Sequence, residues 1–183
     1  MNTTRRVFLL AGGSALVGAA AHAASENALA PKPAMQAPGE EPVVATPGIE
    51  ESGEIVKIDW PEEKWREVLT PEEFSVLREE ATERPYSSPL NDVKAPGTFT
   101  CAGCDLPLYR TEWKYDSGTG WPSFYKAIDG HVGTKTDWKL FYPRTEVHCA
   151  RCEGHLGHIF DDGPQPTGKR HCINGVAMDF TPA

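Results

Sequence analysis

The sequence is short of basic residues. Lysine and arginine together number 18 of 183 residues, against 26 aspartates and glutamates, which gives a formal net charge of −8 at pH 7. Binding to a nucleic-acid backbone needs clustered positive side chains, because Lys and Arg neutralise the contacted phosphates. The basic cluster Lys169-Arg170-His171 is too small for such a footprint. The charge balance therefore argues against nucleic acid as a partner.

A long uninterrupted hydrophobic run is also missing. The apolar stretch from Val7 to Ala21 is broken by glycines and is short beside the roughly 20 residues of a spanning helix. It follows the twin arginines Arg5-Arg6 and ends in the small residues of Ala21-His22-Ala23, a pattern typical of an export signal with a cleavage site. We therefore expect residues 1–23 to be a twin-arginine export signal and the protein to be periplasmic or otherwise exported. An N-terminal anchor is the alternative.

No cysteine precedes Cys101, which excludes a lipidated cysteine at the mature N-terminus. Residues 24–54 are rich in Pro, Ala, Glu and Gly and have almost no apolar periodicity. Such a segment cannot bury enough surface to offset the entropy lost on ordering. We expect it to be a disordered linker, followed by one ordered domain over residues 55–183.

Two short helices are expected at the start of this domain. Asp59 can cap the first, with Glu62 three residues later. Thr70-Pro71-Glu72-Glu73 is a capping box with proline at the first helical position, and Arg84-Pro85 is expected to stop the second helix. The apolar residues at helical spacing are Trp65, Val68 and Leu69 in the first helix and Phe74, Leu77 and Ala81 in the second.

After Pro96-Gly97 the pattern changes to short apolar runs separated by glycine and proline. The strand candidates are Gly97–Thr100, Leu106–Tyr109, Lys139–Tyr142, Glu146–His148, Ile159–Phe160 and Val176–Phe180. Many short strands with frequent turn residues favour antiparallel sheets over a doubly wound α/β arrangement. The predicted fold class is mainly β with short N-terminal helices.

Four of the five cysteines form two C-x-x-C pairs, Cys101 with Cys104 and Cys149 with Cys152. A two-residue spacer lets both sulfurs of a knuckle turn toward one ion, so two pairs predict a zinc site with four cysteine ligands. Because four thiolates leave no open position, the zinc is expected to be structural. Two disulfides are the alternative in an exported protein, and His148 or His155 can replace one thiolate.

Cys172 is the one thiol outside these pairs. A lone cysteine is often an inert buried residue, but Lys169-Arg170-His171 directly precedes this one, and positive charge favours the thiolate. His155 and His158 follow the second knuckle and offer two imidazoles as acids or bases. The residues alone therefore predict a thiol-dependent enzyme, with a non-enzymatic zinc-binding module as the alternative.

Three motifs carry a family resemblance: Gly120-Trp121-Pro122-Ser123-Phe124, His155-Leu156-Gly157-His158-Ile159-Phe160-Asp161-Asp162-Gly163-Pro164 and Arg170-His171-Cys172-Ile173-Asn174. In this order, and with both C-x-x-C pairs, they resemble the zinc-containing B-type methionine sulfoxide reductases, which act on the R epimer. The resemblance runs from about Trp60 to Phe180. It implies that residues 55–183 are a methionine-R-sulfoxide reductase domain of two antiparallel β-sheets with flanking helices.

The same resemblance implies a role for each site residue. Cys172 is expected to attack the sulfoxide sulfur and to become a sulfenic acid. His155 and His158 would hold or protonate the oxygen, Asn174 would help to shape the site, and Trp121 would pack against the substrate methyl group. The implied function is the repair of oxidised methionine in exported proteins.

The chain departs from the family in three places. Thr119 stands where many members have a resolving cysteine, and no other cysteine is spare. The sulfenic acid is therefore expected to be reduced by an external thiol, of thioredoxin type or from a membrane thiol relay. His171 and Gly175 replace a usual aromatic residue and a frequent serine, which alters the pocket. The expected substrate is oxidised protein or peptide methionine, and the protein is expected to act as a monomer.

Overall fold

The computed structural model of the protein describes residues 54–183. The predicted export signal, residues 1–23, and the predicted linker up to residue 53 lie outside the described residues. Within residues 54–183, no helix is both long and apolar enough to cross a membrane.

Two short helices begin the described part, α1 (Glu62–Val68) and α2 (Pro71–Glu79). The capping box of α2 is confirmed, because the Thr70 hydroxyl accepts from the Glu73 amide and the Glu73 carboxylate accepts from the Thr70 amide. The predicted Asp59 cap of α1 is wrong: the cap position is Pro61, with no side-chain hydrogen bond. Helix α2 also stops before Arg84-Pro85, because Glu80 adopts a left-handed conformation with φ 56°.

Nine strands follow in the described part of the chain. They are β1 (Gly97–Cys101), β2 (Pro107–Arg110), β3 (Lys114–Tyr115), β4 (Ser123–Phe124), β5 (Val132–Asp137), β6 (Arg144–Cys149), β7 (His155–Phe160), β8 (Arg170–Ile173) and β9 (Met178–Pro182). They form a three-stranded sheet of order β2-β1-β9 and a six-stranded sheet of order β3-β4-β8-β7-β6-β5. Every pairing is antiparallel. The predicted fold class, mainly β with two antiparallel sheets and short helices, is confirmed.

The two sheets meet in an aromatic core. Tyr109 of β2 stacks on Phe124 of β4 with ring centroids 4.3 Å apart, and Phe99 of β1 meets the edge of the same ring at 5.0 Å. All three side chains are completely buried. This contact fixes β4, and with it the neighbouring strand β8, against the small sheet.

The strand prediction for Lys139–Tyr142 is wrong. These residues form the loop between β5 and β6, because the two strands pair back to Asp137 opposite Arg144 and the chain between them must reverse. The apolar side chains of residues 140–142 are exposed to solvent rather than buried in a sheet. The predicted last strand also starts later, at Met178, after a 3-10 helix at Gly175–Ala177.

Candidate functional site

The four paired cysteines converge on one point. The sulfur of Cys101 lies 3.6 Å from that of Cys152, and the sulfur of Cys104 lies 3.5 Å from that of Cys149. All four are buried, and all four sulfurs lie within 4.8 Å of one another. Tetrahedral coordination with metal–sulfur bonds of about 2.3 Å needs sulfurs about 3.8 Å apart. The cluster therefore fits a metal ion.

Each half of this cluster is the end of a strand and the turn that follows it. Cys101 ends β1 and Cys149 ends β6. Both turns close through a left-handed residue, Asp105 and Glu153, whose amides donate to the carbonyls of Cys101 and Cys149 at 2.8 and 3.0 Å. All five cysteines are free thiols, so the alternative of two disulfides is wrong. Among the described residues, neither His148 nor His155 joins the cluster.

A row of polar side chains crosses the six-stranded sheet, with one residue from each strand. In strand order it is Tyr115, Ser123, Cys172, His158, Glu146 and Lys135. Residues directly opposite each other in antiparallel strands point to the same face. Cys172 is thus flanked by Ser123 on β4 and His158 on β7, and it lies outside the four-sulfur cluster.

A β-bulge brings His155 to the same face as His158. Residues three apart in a regular strand point to opposite faces. Here Val147 pairs with Gly157 while the next residue, His148, pairs with His155, so strand β7 has one extra residue. The two imidazole rings consequently lie edge to face, with centroids 5.4 Å apart. The structure therefore brings both predicted histidines to one side of Cys172.

Gly157 sits at the bulge for a steric reason. A Cβ atom added there would collide with the carbonyl oxygen of Cys172, which is backbone and cannot give way. Only glycine lets β7 approach β8 this closely beside the thiol.

Asp137 holds His158 in place. Its carboxylate lies 2.8 Å from Nε2 of His158 and 2.5 Å from Nη2 of Arg144, and it accepts from the backbone N–H of Lys139 at 2.8 Å. These partners, the Lys139 amide first, hold the pKa of Asp137 well below its usual range. The carboxylate is therefore ionised beside the imidazole. No sequence motif marks Asp137, which is isolated in a polar strand.

His155 is more deeply buried than His158. Its Nδ1 lies 3.1 Å from Oε1 of Glu146, although the two atoms are not aligned as a hydrogen bond. Burial lowers the pKa of His155, and the contact with Glu146 opposes this only in part. Glu146 also pairs with Lys135 at 3.1 Å. His155 is thus held as a neutral ring beneath His158.

Cys172 is half-buried, and its environment does not favour the thiolate as the sequence led us to expect. Burial raises the pKa of the Cys172 thiol above its usual value. The Thr119 hydroxyl, whose Oγ1 lies 3.9 Å from Sγ, and the Arg170 guanidinium oppose this only in part. The expectation that the basic cluster would lower this pKa overall is wrong.

The reason is that the three basic residues point to different places. Lys169 is exposed and pairs with Asp161. Arg170 forms two hydrogen bonds with Asp162, of 2.8 and 2.9 Å. His171 faces the opposite side of the sheet, where its Nδ1 lies 3.2 Å from the Tyr109 hydroxyl and burial lowers its pKa to about 4. Alternating strand faces separate His171 from Cys172.

Hydroxyl groups form a chain that ends at the thiol. Ser123 Oγ lies 2.7 Å from Ser117 Oγ, which lies 2.8 Å from Thr119 Oγ1. Thr119, the residue at the position of the missing resolving cysteine, is the last member before Cys172.

Asn174 is buried, and its amide group is used within the fold. Its Nδ2 donates to the carbonyl of Leu156 at 3.0 Å, and its Oδ1 accepts from the Glu83 amide at 3.0 Å. These contacts tie the residue after β8 to the bulge in β7. Asn174 therefore positions strands beside Cys172 and His158.

Glu83 is a site residue that sequence reasoning missed. Its carboxylate accepts from the amides of Gly175 and Val176 at 2.6 and 3.1 Å, and its carbonyl accepts from Nε1 of Trp121 at 3.2 Å. Burial raises the pKa of Glu83, and the two backbone hydrogen bonds oppose this. Trp121 is thereby fixed as a half-buried ring two residues before Ser123. Glu83, directly before Arg84-Pro85, belongs to no recognisable sequence motif, so the sequence alone does not point to it.

Comparisons with known proteins identify the family. Residues 69–182 match the SelR domain. The chain is similar to the peptide methionine sulfoxide reductase MsrB of Methanosarcina barkeri, with 52% identity over 120 residues that cover 65% of this chain and 84% of that protein. It is similar to the MsrB of Pseudomonas putida, with 50% identity over 127 residues that cover 69% of this chain and 96% of that protein. The solved structure of the Mis18 'Yippee-like' domain matches this chain with a TM-score of 0.38 and 14% identity, over 48% of this chain and 97% of that one. The chain belongs to the SelR domain family of MsrB-type peptide methionine sulfoxide reductases.

Proposed function

We propose that the protein reduces the R epimer of methionine sulfoxide in proteins, with Cys172 as the nucleophile. The observation that carries this is the position of Cys172: its thiol is free, lies outside the four-sulfur cluster, and shares a sheet face with His158. Membership in an enzyme family argues against a non-enzymatic zinc-binding module.

In the proposed reaction the thiol and the sulfoxide are the only groups that are oxidised or reduced. The Cys172 sulfur attacks the protonated sulfoxide sulfur and forms a sulfur–sulfur bond with it. The hydroxyl group then moves from the methionine sulfur to the Cys172 sulfur as this sulfur–sulfur bond breaks, which leaves Cys172 as a sulfenic acid and releases methionine. The cysteine sulfur is oxidised by two electrons and the methionine sulfur is reduced by two. A sulfoxide becomes a good electrophile only when its oxygen is protonated or strongly hydrogen-bonded, so an acid must face the thiol.

His158 is the acid in this proposal. The ionised carboxylate of Asp137 holds its Nε2 at 2.8 Å and thereby orients the ring. Neutral, buried His155 packs against this ring and limits its movement. The Trp121 ring, fixed by Glu83, would receive the substrate methyl group.

The sulfenic acid is reduced by thiols from outside the chain. Thr119 lies next to Cys172 and cannot form a disulfide, and the other four cysteines are engaged in the buried cluster. Two external thiols return Cys172 to the thiol and leave as one disulfide and water. The donor is of thioredoxin type or a membrane thiol relay.

The ion in the four-sulfur cluster is zinc in this proposal. Four buried cysteine sulfurs at tetrahedral spacing are the ligand set of structural zinc sites. The ion would join the small sheet to the end of β6 and would have no part in the reaction.

The proposal is tested with the two separate epimers of N-acetylmethionine sulfoxide and with dithiothreitol as the reductant. We expect turnover of the R epimer only, and none by Cys172→Ser. After one turnover without reductant, a dimedone-type probe should label Cys172, and no disulfide should form within the chain. Equal turnover by Cys172→Ser, or turnover of the S epimer alone, would refute the proposal. Zinc content and the melting temperature of the variant confirm that it is folded.

We also propose export through the twin-arginine route, on the sequence pattern of residues 1–23. The test is the location of the full chain in cell fractions. Changing Arg5 and Arg6 together to Lys should retain the protein in the cytoplasm, while Lys32→Arg, outside the motif, should not.

A further inference from the structure

The loop between β5 and β6 carries an unusual set of exposed apolar side chains. We call residues 138–142 the aromatic loop. Trp138 is 71% exposed, Leu140 45% and Tyr142 59%, and Phe141 is fully exposed. Among the described residues, only Val56 and Tyr86 are other large hydrophobic side chains with comparable exposure. Contiguous exposed apolar groups mark interaction surfaces, because their hydration is unfavourable until a partner covers them.

The base of the aromatic loop is held firmly. Asp137 and Arg144 pair with each other across it, and the amide of Lys139 donates to Asp137. The Lys139 ammonium also lies 2.5 Å from the Glu80 carboxylate beyond helix α2. The apolar side chains are therefore presented from a fixed base.

The loop is continuous with the reaction site. Asp137, the residue before Trp138, is the carboxylate that holds His158, and His158 lies opposite Cys172. A substrate chain that places its sulfoxide at Cys172 and runs diagonally across the sheet, past His158 to the end of β5 at Asp137, therefore reaches the aromatic loop.

We propose that the aromatic loop is a substrate subsite, which binds an apolar side chain of the same polypeptide that carries the methionine sulfoxide. The inference rests on the proposed function and names the substrate class: extended, locally unfolded protein segments with an apolar residue near the oxidised methionine. Methionine lies mostly among apolar residues in protein cores, so an unfolded oxidised segment exposes such neighbours.

The geometry fixes where that apolar residue lies in the substrate. From β8 to β5 there are three strand spacings of about 4.8 Å, or about 14 Å. Lys135 is the residue of β5 that is level with Cys172, and Trp138 lies three residues, or about 10 Å, further along the strand, so the diagonal distance is about 17 Å. An extended chain advances about 3.4 Å for each residue. The subsite therefore binds a residue about five positions from the methionine sulfoxide.

The test compares three substrates: N-acetylmethionine-R-sulfoxide, an undecapeptide with central methionine-R-sulfoxide and Leu at both fifth positions from it, and the same peptide with Ser at those positions. The enzymes are the wild type, Trp138→Ser/Phe141→Ser, and the control Val56→Ser, which removes an exposed apolar side chain outside the loop. We expect the loop variant to raise KM for the Leu peptide about five- to tenfold, the loss from uncovering part of one aromatic contact. Its kcat, and its activity on the other two substrates, should be unchanged.

Other outcomes overturn the subsite. Equal kcat/KM of the wild type for the Leu and Ser peptides would do so, as would an equal loss on all three substrates by the loop variant, or an effect matched by Val56→Ser. A wild-type dimer that the loop variant converts to a monomer would assign the loop to self-association instead. If the wild type reduced none of the substrates, the proposed function would fail and the subsite with it.

Discussion

The hydroxyl group of Thr119 offers the sharpest test of how this site activates its sulfur. Thr119 Oγ1 lies 3.9 Å from Cys172 Sγ and is itself hydrogen-bonded to Ser117. Thr119→Val keeps the shape of the side chain and removes only the hydroxyl. Thr119→Ser keeps the hydroxyl and removes a methyl group, so the two variants separate hydrogen bonding from packing.

The size of the effect follows from the contact. A hydrogen bond to a charged group contributes about 1.5–3 kcal/mol, and the length of this one places it below that range, at about 1 kcal/mol, or about fivefold in the thiolate population. Because burial raises the pKa of Cys172, the thiolate is the minor form at neutral pH and each loss of stabilisation lowers the rate in proportion. Thr119→Val should therefore react about fivefold more slowly at pH 7.

The assay is the rate at which iodoacetamide alkylates Cys172, followed by mass spectrometry from pH 6 to pH 10 and paired with methionine release in a single turnover without reductant. The alkylation rate of Cys172 in Thr119→Val should rise at a higher pH than in the wild type. At high pH the two proteins should reach the same alkylation rate. Thr119→Ser should follow the wild type. A deficit of Thr119→Val that persists at high pH, or no deficit at pH 7, would show that the hydroxyl does not stabilise the thiolate.

Other parts of the structure support three further predictions. If the four-sulfur cluster holds zinc as proposed, Cys104→Ser should bind no metal and fail to fold stably, since the binding energy of structural zinc, about 10–16 kcal/mol, rivals the whole stability of a domain; metal analysis and thermal unfolding check this. Asp137→Asn should lower the melting temperature, because Arg144 loses its charged partner, and the folded enzyme should also lose kcat at least about tenfold, because His158 loses the carboxylate that orients its ring. Burial lowers the pKa of His171 to about 4 in the folded chain. Below about pH 6.5, His171 is therefore protonated in the unfolded chain but stays neutral in the folded chain until about pH 4. The free energy of unfolding should fall by about 2 kcal/mol from pH 7 to pH 5 for this residue, and urea unfolding of His171→Phe should show a smaller fall.

Each of these has a clear contrary result. A metal content of one per chain in Cys104→Ser would mean that three sulfurs suffice. An unchanged kcat in Asp137→Asn would remove the carboxylate from the reaction and leave it a structural role. Equal pH slopes for His171→Phe and the wild type would mean that other groups account for the acid sensitivity.

The features that the sequence predicted correctly are those that depend on near neighbours in the chain. The capping box of Thr70 and Glu73 spans three residues, and each C-x-x-C turn spans four, so local backbone geometry determines both. The class of fold followed from the density of short apolar runs and turn residues. None of these required knowledge of which strand lies beside which.

The features that were missed or wrong depend on strand pairing. The aromatic loop contains a run of apolar residues typical of a buried strand. Because Asp137 pairs with Arg144, however, these residues form the loop that connects β5 to β6. His171 is adjacent to Cys172 in the sequence, and on that ground it was expected to favour the thiolate. In a strand the adjacent side chain faces the other way, and burial then decides the sign of the pKa shift.

The positions of the two histidines depend both on local sequence and on strand pairing. Their spacing of three residues is visible in the sequence, yet in a regular strand it would place His155 and His158 on opposite faces of the sheet. The extra residue in β7 rotates one of them to the side of Cys172, and Gly157 makes room for the bulge against the Cys172 carbonyl. The bulge also leaves the Leu156 carbonyl to receive the Asn174 amide, which anchors the end of β8. One irregularity in one strand therefore places both imidazoles on the face of Cys172 and anchors the strand that carries the thiol.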